Sequence, residues 1–355
     1  MNIQTHGSAA TPDTKLLLAE VSARLQRRED LSRAESSALL HALLDPSTSD
    51  ADIAAILTAL SSKGETAHEL TGMAEAMRAR MIPLRCDHPK VVDTAGTGAS
   101  KAKTFNVSTA AAFVIAAAGL PIAKHGARAA TSNTGSADVL QALGIPVTAA
   151  PSTSENSLAQ HGICFLFAPQ YHPAAARVAP IRRQLGFRTV FNLIGPLSSP
   201  SRAKFQVIGV SHPDLQLKMA EALIALGCTR GWVVHGEDSL DEVSLAASTR
   251  VVEVRDGQIN SFNVTPETFG ITSADCSHLR AANADQSAAQ TVAVLEGRSD
   301  RCATDLVVLN AAAALVVGLD LELKDAAELA RATIASGAAR AKLEAARTSL
   351  QEPAA

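Results

Sequence analysis

The stretch VVDTAGTGASKAKTFNVSTAAAFVIAAAGLPIAKHGARAATSNTGSADVLQAL, from Val91 to Leu143, decides the fold. Short apolar runs alternate along it with Ala- and Leu-containing segments of helical character. The first run ends in a turn at 96–98, and a hydroxyl-rich turn at 106–109 opens the next helix; the second run ends at 124–126, and a turn at 134–138 opens another helix. Alternation of this kind predicts a mostly parallel sheet covered by helices.

Each of these turns places backbone N–H groups, hydroxyls or a lysine where a strand ends and a helix begins. Helix N-termini have unpaired N–H donors and a partial positive charge, so they favour phosphate. One Gly-Thr-Gly turn is more often only a tight turn, but the four elements in order are much more specific, and they predict a ligand with more than one phosphate group. The stretch is not a dinucleotide fingerprint, because Lys101 stands where the third glycine belongs, and it holds no G-K-[ST] of a P-loop.

Length and composition describe a globular protein with room for two domains. Of the 355 residues, 47% are hydrophobic and 19% are charged, and the net charge is −3. Such a mildly acidic chain, with only 3% aromatic residues, is not expected to bind nucleic acid or a membrane. The N-terminal segment has neither the cationic start nor the apolar run of a secretory signal, so we expect a cytoplasmic protein. The cysteines lack C-x-x-C spacing and predict buried free thiols: Cys86, Cys164, Cys228, Cys276 and Cys302.

The pattern along the chain predicts two domains. Residues 13–85 read as a small helical domain, with capping boxes at Ser32-x-x-Glu35 and Thr66-x-x-Glu69. Residues 90–347 read as an α/β domain, from which part of 172–190 is expected to join the helical domain. Its predicted elements are strands at 90–95, 121–124, 163–167, 206–211, 231–235 and 250–255, and closing helices at 303–317 and 325–347.

Two further clusters have chemical interest. Asp241-Glu242 follows an apolar strand, and adjacent carboxylates at a strand end can hold a hard divalent cation such as Mg²⁺. A lone acidic pair is more often a surface turn, but here it lies in the same sheet as the phosphate-type turns. The arginine cluster Arg182, Arg183 and Arg188 offers a fork for a carboxylate, against the equal prospect of an exposed helix face. No residue stands out as a catalytic acid or base.

The chain resembles the anthranilate phosphoribosyltransferase family from about residue 16 to 343. The motifs TFNVST, KHGxR, GSADVLxALG, FLFAPxxHPA, RxxLGxRTxFNLxGPL, LDEVS and LNAAAAL occur in the family's order. The resemblance implies a small N-terminal helical domain beside a larger α/β domain of the nucleoside phosphorylase/phosphoribosyltransferase kind, and a homodimer formed through the helical part. It also implies transfer of the phosphoribosyl group of 5-phosphoribosyl 1-diphosphate (PRPP) to the amine of anthranilate, in tryptophan biosynthesis, with Mg²⁺ as cofactor.

The resemblance further implies a role for individual residues. Those that would hold PRPP are Gly96, Ala99, Ser100, Thr104, Asn106, Val107, Ser108, Thr109, Lys124, His125, Gly126, Arg128, Ser132 and Ser136. Those that would contact anthranilate are Gly96, Ala127 and Arg182, and those that would bind Mg²⁺ are Ser108, Asp241 and Glu242.

Two departures from the family pattern keep alternatives open. The family's loop GTGGDG reads here as GTGASK, which removes a carboxylate and adds Lys101, and the family's KHGNR has Ala127 in place of its asparagine. Loss of an amide from a polar site commonly costs about 1–3 kcal/mol. The alternatives are therefore a phosphoribosyltransferase for a different aromatic amine, or a non-catalytic paralogue that binds nucleic acid. A pyrimidine nucleoside phosphorylase would need a KHSTGG-type turn, which the sequence does not contain.

Overall fold

The computed structural model describes residues 12–98, 102, 104–128 and 134–351, and these fall into two compact units. The helical unit comprises the chain up to Ile82 together with His172–Ser198, and the α/β unit comprises Pro83–Tyr171 and the chain from Ser199 onward. The domain limits predicted from sequence differ in two places. The return to the helical unit extends to Ser198 instead of ending near residue 190, and residues 83–85 lie in the α/β unit.

Helices make up most of the described chain. In order, α1 to α15 span Pro12–Gln26, Arg33–Leu43, Asp50–Lys63, Ala67–Arg80, Val107–Ala117, Ser136–Ala142, Pro151–His161, Ala168–Tyr171, Ala179–Leu185, Val190–Leu197, Leu215–Ala225, Ala284–Leu295, Arg301–Leu319, Leu323–Ala335 and Ala338–Gln351. Short 3-10 helices span Pro173–Arg177 and Pro266–Phe269.

The helical unit begins its helices as the sequence predicts. Ser32 and Glu35 form a reciprocal capping box at α2, and Thr66 and Glu69 form another at α4. These pairs satisfy backbone N–H groups that a helix leaves without a partner. Helix α3 ends at Lys63, and its C-cap residue Gly64 has a φ of 85°, which favours glycine.

The returning segment 172–198 is tied to the helical unit through backbone carbonyls. The Nε of Arg78 in α4 donates to the carbonyl of Leu197 at 2.8 Å, and the hydroxyl of Ser61 in α3 donates to that of Arg188 at 3.2 Å. Helix α9 packs on α3 and α10 packs on α4. The segment therefore completes the helical bundle, and this fixes the backbone that carries the arginine cluster.

The α/β unit is built on a seven-stranded sheet within the described residues. Strands β1 to β7 span Val92–Gly96, Ile122–Gly126, Ile163–Phe167, Phe205–Gly209, Arg230–Gly236, Thr249–Arg255 and Gln258–Val264, and their order is β3-β2-β1-β4-β5-β6-β7. Strands β1 to β5 are parallel, and β6 and β7 are antiparallel. The strand order reverses between β1 and β4, and open sheets of this kind bind ligands outside the carboxyl ends of the strands at such a reversal.

The core of the α/β unit centres on α13. Every residue of this helix from Ala303 to Gly318 except Thr304 is buried, and the helix packs against α5, α14 and β4. Among the described residues it is the one helix long and apolar enough to cross a bilayer, but 83% of that segment is buried inside the protein. Burial on all sides explains why its sequence is apolar all round.

The fold class is confirmed, and the elements differ from the sequence prediction in two details. Strand β7 was not predicted, since its side chains are mostly exposed; the turn Asp256-Gly257 before it, with φ of 49° and 80°, is the hairpin signal that would have revealed it. The predicted helix 325–347 is two helices, because the chain turns at Gly337 with φ of 78°. All five cysteines are free thiols, but only Cys164 and Cys228 are buried.

A pH-dependent stability follows from His172, which begins the returning segment and is 5% exposed. Burial lowers its pKa from 6.5 to about 4, against a smaller opposing effect of a hydrogen bond with the Ser198 backbone. A lowered folded-state pKa means that the neutral ring favours folding above pH 6.5 and that this stabilisation is lost as the pH falls from 6.5 towards 4.

We expect His172→Asn to lessen the loss of unfolding free energy on acidification from neutral pH to about pH 4, by up to ~3 kcal/mol. The measurement is chemical denaturation of both proteins across that range. The matched control is His212→Asn, because the His212 side chain is 63% exposed. Equal pH slopes for the wild type and the His172 variant would contradict the prediction.

Candidate functional site

The candidate site lies where the sheet order reverses, at the carboxyl ends of β1 and β4. Gly96 pairs with Gly209 in register, and the Thr97 N–H donates to the Gly209 carbonyl at 2.9 Å. A Cβ at Gly209 would lie 1.7 Å from the carbonyl oxygen of Asp241, and one at Gly96 would lie 3.2 Å from the Asp241 carboxylate. The chain around Asp241 therefore crosses directly over the ends of these two strands, and only glycine at position 209 permits this approach.

The sequence places the acidic pair at a strand end, but in the structure the pair lies in the loop that follows the strand. Strand β5 ends at Gly236, and Asp241 and Glu242 follow in a loop where both are half-buried. Burial and the neighbouring Asp241 carboxylate raise the pKa of Glu242 from 4.5 to about 8. Two adjacent, partly desolvated carboxylates repel each other, so this position favours a bound cation.

The N-terminus of α5 faces the acidic pair. The Ser108 N–H, in the first turn of the helix, donates to Oε1 of Glu242 at 3.2 Å. Asn106 occupies the N-cap position without a side-chain capping bond; its amide oxygen instead accepts from the hydroxyls of Thr134 at 2.8 Å and Ser287 at 3.0 Å. The Val107 N–H donates to the Phe105 carbonyl, and the Thr109 N–H donates to the Asn106 carbonyl. An anionic ligand at this end of α5 would therefore be attracted mainly by the partial positive charge of the helix N-terminus.

Lys124 is the buried cation of the site. It is 4% exposed, and its Nζ donates to the Thr94 carbonyl at 2.6 Å and to the Ser108 hydroxyl at 3.1 Å. Burial lowers its pKa, while the charges of Asp93 and Glu242 act in the opposite direction. The ammonium group therefore connects the end of β1 with the start of α5.

Asp93 completes this charged network beneath the site. It is fully buried, and its carboxylate accepts from the His125 N–H at 3.1 Å. Burial raises its pKa from 3.8 to about 6, and Lys124 opposes that shift. Asp93 is not among the site residues predicted from the sequence, although a carboxylate inside an apolar strand was a usable signal.

A second cluster forms between the end of β2 and the start of α6. The Ser136 hydroxyl lies 2.0 Å from the position that a Cβ on Gly126 would occupy, so this glycine lets the serine approach the strand end. The Ala137 N–H donates to the Ala127 carbonyl at 3.2 Å. The guanidinium of Arg128 donates to Asp138 at 3.0 Å and lies over the Phe167 ring at 5.9 Å. Arg128 therefore already forms an ion pair with Asp138 and a cation–π contact with Phe167.

Arg182 lies in the helical unit, in α9. Its Nη2 donates to Oδ1 of Asn192 at 3.3 Å, and its guanidinium lies 5.2 Å from the centre of the Phe191 ring. Burial lowers its pKa, its Nε is buried, and among the described residues this atom has no hydrogen-bond acceptor. Nor does Arg182 form an ion pair with any described carboxylate. A half-buried arginine in this condition can take an anionic ligand.

The structure thus brings most predicted site residues into one region of the α/β unit and places Arg182 in the other unit. The residues around the strand ends and helix starts of the α/β unit are Gly96, Thr104, Asn106, Val107, Ser108, Thr109, Lys124, His125, Gly126, Ala127, Arg128, Ser136, Asp241 and Glu242. Ala99, Ser100 and Ser132 lie outside the described residues.

The two units match two domain models of one family. Residues 19–81 match the helical bundle domain of the glycosyl transferase family, and residues 88–340 match its a/b domain. The chain is accordingly an enzyme of the glycosyltransferase class.

Individual relatives narrow this class. The chain is 44% identical over 328 residues to an anthranilate phosphoribosyltransferase of Anaeromyxobacter sp. (strain Fw109-5), with 92% of this chain and 97% of the relative covered. It is also 44% identical over 331 residues to that of Symbiobacterium thermophilum, with 93% and 96% covered.

Solved structures of the same enzyme family also match this chain. Anthranilate phosphoribosyltransferase from Thermus thermophilus superposes with a TM-score of 0.87 at 40% identity, covering 94% of this chain and 99% of the other. The Saccharomyces cerevisiae enzyme in complex with PRPP and Mg gives a TM-score of 0.86 at 27% identity, covering 95% and 98%. The chain belongs to the anthranilate phosphoribosyltransferase family, and the resemblance read from its motifs is confirmed.

Proposed function

We propose that the protein transfers the phosphoribosyl group of PRPP to the amine of anthranilate, giving N-(5-phosphoribosyl)anthranilate and diphosphate in tryptophan biosynthesis. The observation that supports this most is the acidic pair Asp241-Glu242, packed against the N-terminus of α5 at the reversal of strand order. This arrangement would offer carboxylates to a cation and, beside them, the partial positive charge of a helix N-terminus to phosphate. The proposed reaction is that of the relatives, which are anthranilate phosphoribosyltransferases.

The residues at the acidic pair fit Mg²⁺. Asp241 and Glu242 would provide hard oxygen ligands. The Ser108 hydroxyl lies on the first turn of α5, on the residue whose N–H donates to Glu242. Burial and, to a smaller extent, the adjacent Asp241 carboxylate raise the pKa of Glu242, and a bound divalent cation would oppose both effects by favouring the ionised carboxylate. When bound, Mg²⁺ neutralises diphosphate charge at the leaving group. The S. cerevisiae relative is known in complex with PRPP and Mg.

The PRPP site is proposed along the carboxyl edge of the sheet. The partial positive charge at the N-terminus of α5, around residues 106–109, would attract phosphate oxygens, with Gly96 permitting close approach. The remaining proposed contacts are Ala99, Ser100, Thr104, Lys124, His125, Gly126, Arg128, Ser132 and Ser136. Because Asp93 holds the His125 backbone, we assign His125 a positioning role instead of proton transfer.

Bond breaking at C1 of PRPP releases diphosphate and leaves positive character on the ribose ring. The positive end of α5 would stabilise the charge that grows on the leaving group. The amine of anthranilate is neutral near pH 7, so correct placement suffices for attack and no strong base is required. This agrees with a site in which no carboxylate or imidazole is set aside as a base.

Arg182 is the proposed ligand for the carboxylate of anthranilate, because its guanidinium fork is half-buried and its Nε has no acceptor among the described residues. Gly96 and Ala127 are the other proposed acceptor contacts. A methyl group at 127 offers no hydrogen bond, so a different aromatic amine is the second candidate acceptor. The S. cerevisiae relative is known with 4-fluoroanthranilate. No observation favours nucleic-acid binding.

A cytoplasmic homodimer joined through the helical unit is the proposed assembly. Leu16 in α1 is 70% exposed, and a groove of about 410 Å³ beside it is lined by residues of α1 and α3, including Leu18 and Ile56. The groove has a mixed polar and apolar lining, and an exposed leucine beside it offers a surface for a contact between subunits.

The metal assignment predicts that Asp241→Asn with Glu242→Gln lowers kcat/KM by more than about a hundred-fold at every Mg²⁺ concentration, since both ligand charges are removed. The measurement is the PRPP-dependent loss of anthranilate fluorescence across a Mg²⁺ titration. Asp256→Asn with Glu328→Gln removes the same charge from exposed positions and serves as control. Unchanged turnover in the first double variant would refute the assignment.

Arg182→Ala should raise the KM for anthranilate by about 10- to 100-fold, the cost of a charge-assisted hydrogen bond, with little effect on the KM for PRPP. Arg183→Ala, which removes the exposed neighbouring arginine, should change neither constant. Steady-state kinetics with each substrate varied in turn decides the matter. Equal effects of Arg182→Ala on both KM values would mean that the residue is structural or contacts phosphate.

Ala127→Asn separates the two acceptor candidates. If anthranilate is the acceptor, the restored amide should raise kcat/KM by the worth of one hydrogen bond, ~0.5–1.5 kcal/mol, or up to about ten-fold. If a different amine is used, the larger side chain should lower activity towards it. The measurement is kcat/KM for anthranilate and a panel of substituted aminobenzoates in both proteins. Failure of either protein to turn over anthranilate while both bind PRPP would reject the first candidate.

A further inference from the structure

Asn310 is a polar side chain in the middle of the apolar core helix α13. Its Oδ1 accepts from the Val243 N–H at 2.9 Å, and its Nδ2 donates to the Val243 carbonyl at 3.0 Å. The same Nδ2 donates to the Leu306 carbonyl, one turn earlier in the helix, at 2.9 Å. The amide thus makes a reciprocal pair with one backbone residue of a distant loop, and the bond to its own helix fixes the orientation of the amide plane.

The amide of Asn310 satisfies buried backbone groups. Asn310 is 7% exposed, its neighbours along the helix are buried alanines, leucines and valines, and Val243 is 1% exposed. An apolar residue at 310 would leave the Val243 N–H and carbonyl group without these partners, and unsatisfied buried polar groups destabilise the folded state. The amide therefore both stabilises the loop and gives its backbone a defined position.

The backbone that Asn310 holds directly follows the acidic pair. Val243 is the next residue after Glu242, and the loop is constrained on its other side, where the Asp241 backbone packs on Gly209. Contacts with α13 on one side and with the end of β4 on the other therefore hold Asp241 and Glu242 in place. Without these two constraints, repulsion between the adjacent carboxylates favours their separation.

We propose that Asn310 is a positioning residue for the divalent cation: its amide holds the loop so that Asp241 and Glu242 present their oxygens together before the cation binds. This rests on the proposed role of the pair as Mg²⁺ ligands. Partners that orient metal ligands commonly contribute about 10- to 100-fold to metal affinity. Removal of the amide should therefore be felt first in the Mg²⁺ requirement.

The test compares Asn310→Ala and Asn310→Ser in the full-length protein. Serine keeps a hydroxyl that can bond to the Leu306 carbonyl within the helix, but it is too short to reach Val243. Val317→Ala is the matched control, since it truncates an equally buried residue of α13 about 10 Å further along the helix. Thermal denaturation identifies the variants that remain folded and measures their stability loss.

In both Asn310 variants the Mg²⁺ concentration for half-maximal turnover should rise by about ten-fold or more, whereas kcat at saturating Mg²⁺ should fall much less. Amide hydrogen exchange across residues 240–248 should become faster than in the wild type. Val317→Ala should change neither quantity, even where it lowers the melting temperature equally.

A Mg²⁺ requirement that stays at the wild-type value in a folded Asn310 variant would overturn the proposal, as would a similar rise in Val317→Ala. Asp241→Asn with Glu242→Gln distinguishes this failure from a failure of the metal assignment. If that double variant loses Mg²⁺-dependent turnover while the Asn310 variants keep normal Mg²⁺ dependence, only the role of Asn310 is wrong.

Discussion

The rest of the site depends on the hydrogen bonds and charge interactions of the buried Lys124 ammonium group. This group interacts with the charges of two carboxylates, Asp93 and Glu242, and it bonds to Thr94 and Ser108. A charge removed from water is tolerated only when it is paired and hydrogen-bonded, and here both conditions are met. Loss of Lys124 would leave Asp93 buried without its main opposing charge, so the lysine stabilises the strand end and the helix start together.

Two carboxyl groups, those of Asp241 and Glu242, lie next to this network, and the surrounding structure fixes their position. Glycine at 96 and 209 lets the Asp241 loop approach the strand ends, and the Ser108 N–H fixes one oxygen of Glu242. These contacts do not offset burial, which together with the Asp241 carboxylate raises the pKa of Glu242 to about 8. A bound divalent cation would favour the ionised form of both groups, which is why this fixed pair is the proposed cation site.

Local patterns in the sequence predicted much of this, and long-range contacts account for the rest. The helix start at 106–109, the strand ends and the acidic pair are each visible in a few consecutive residues, and so are the capping boxes of α2 and α4. The bond between Asn310 and Val243 joins residues 67 positions apart, and the contact of Gly209 with Asp241 depends on how a loop crosses the sheet. Such contacts leave no periodic signal. Strand β7 was missed for a different reason, since an exposed strand lacks the apolar alternation that marks a buried one.

The two departures from the family pattern differ in their consequences because phosphate and acceptor are recognised by different kinds of group. The proposed attraction of phosphate to α5 depends on the partial positive charge of a helix N-terminus, which a change of side chains in the preceding sequence does not remove. The proposed recognition of an aromatic acceptor depends on individual side chains, and the asparagine of the family motif is replaced by Ala127. A methyl group at 127 cannot replace the hydrogen bonds of an amide, whereas the helix keeps its partial charge. We therefore expect the choice of acceptor to depend more strongly than phosphate binding on these two departures.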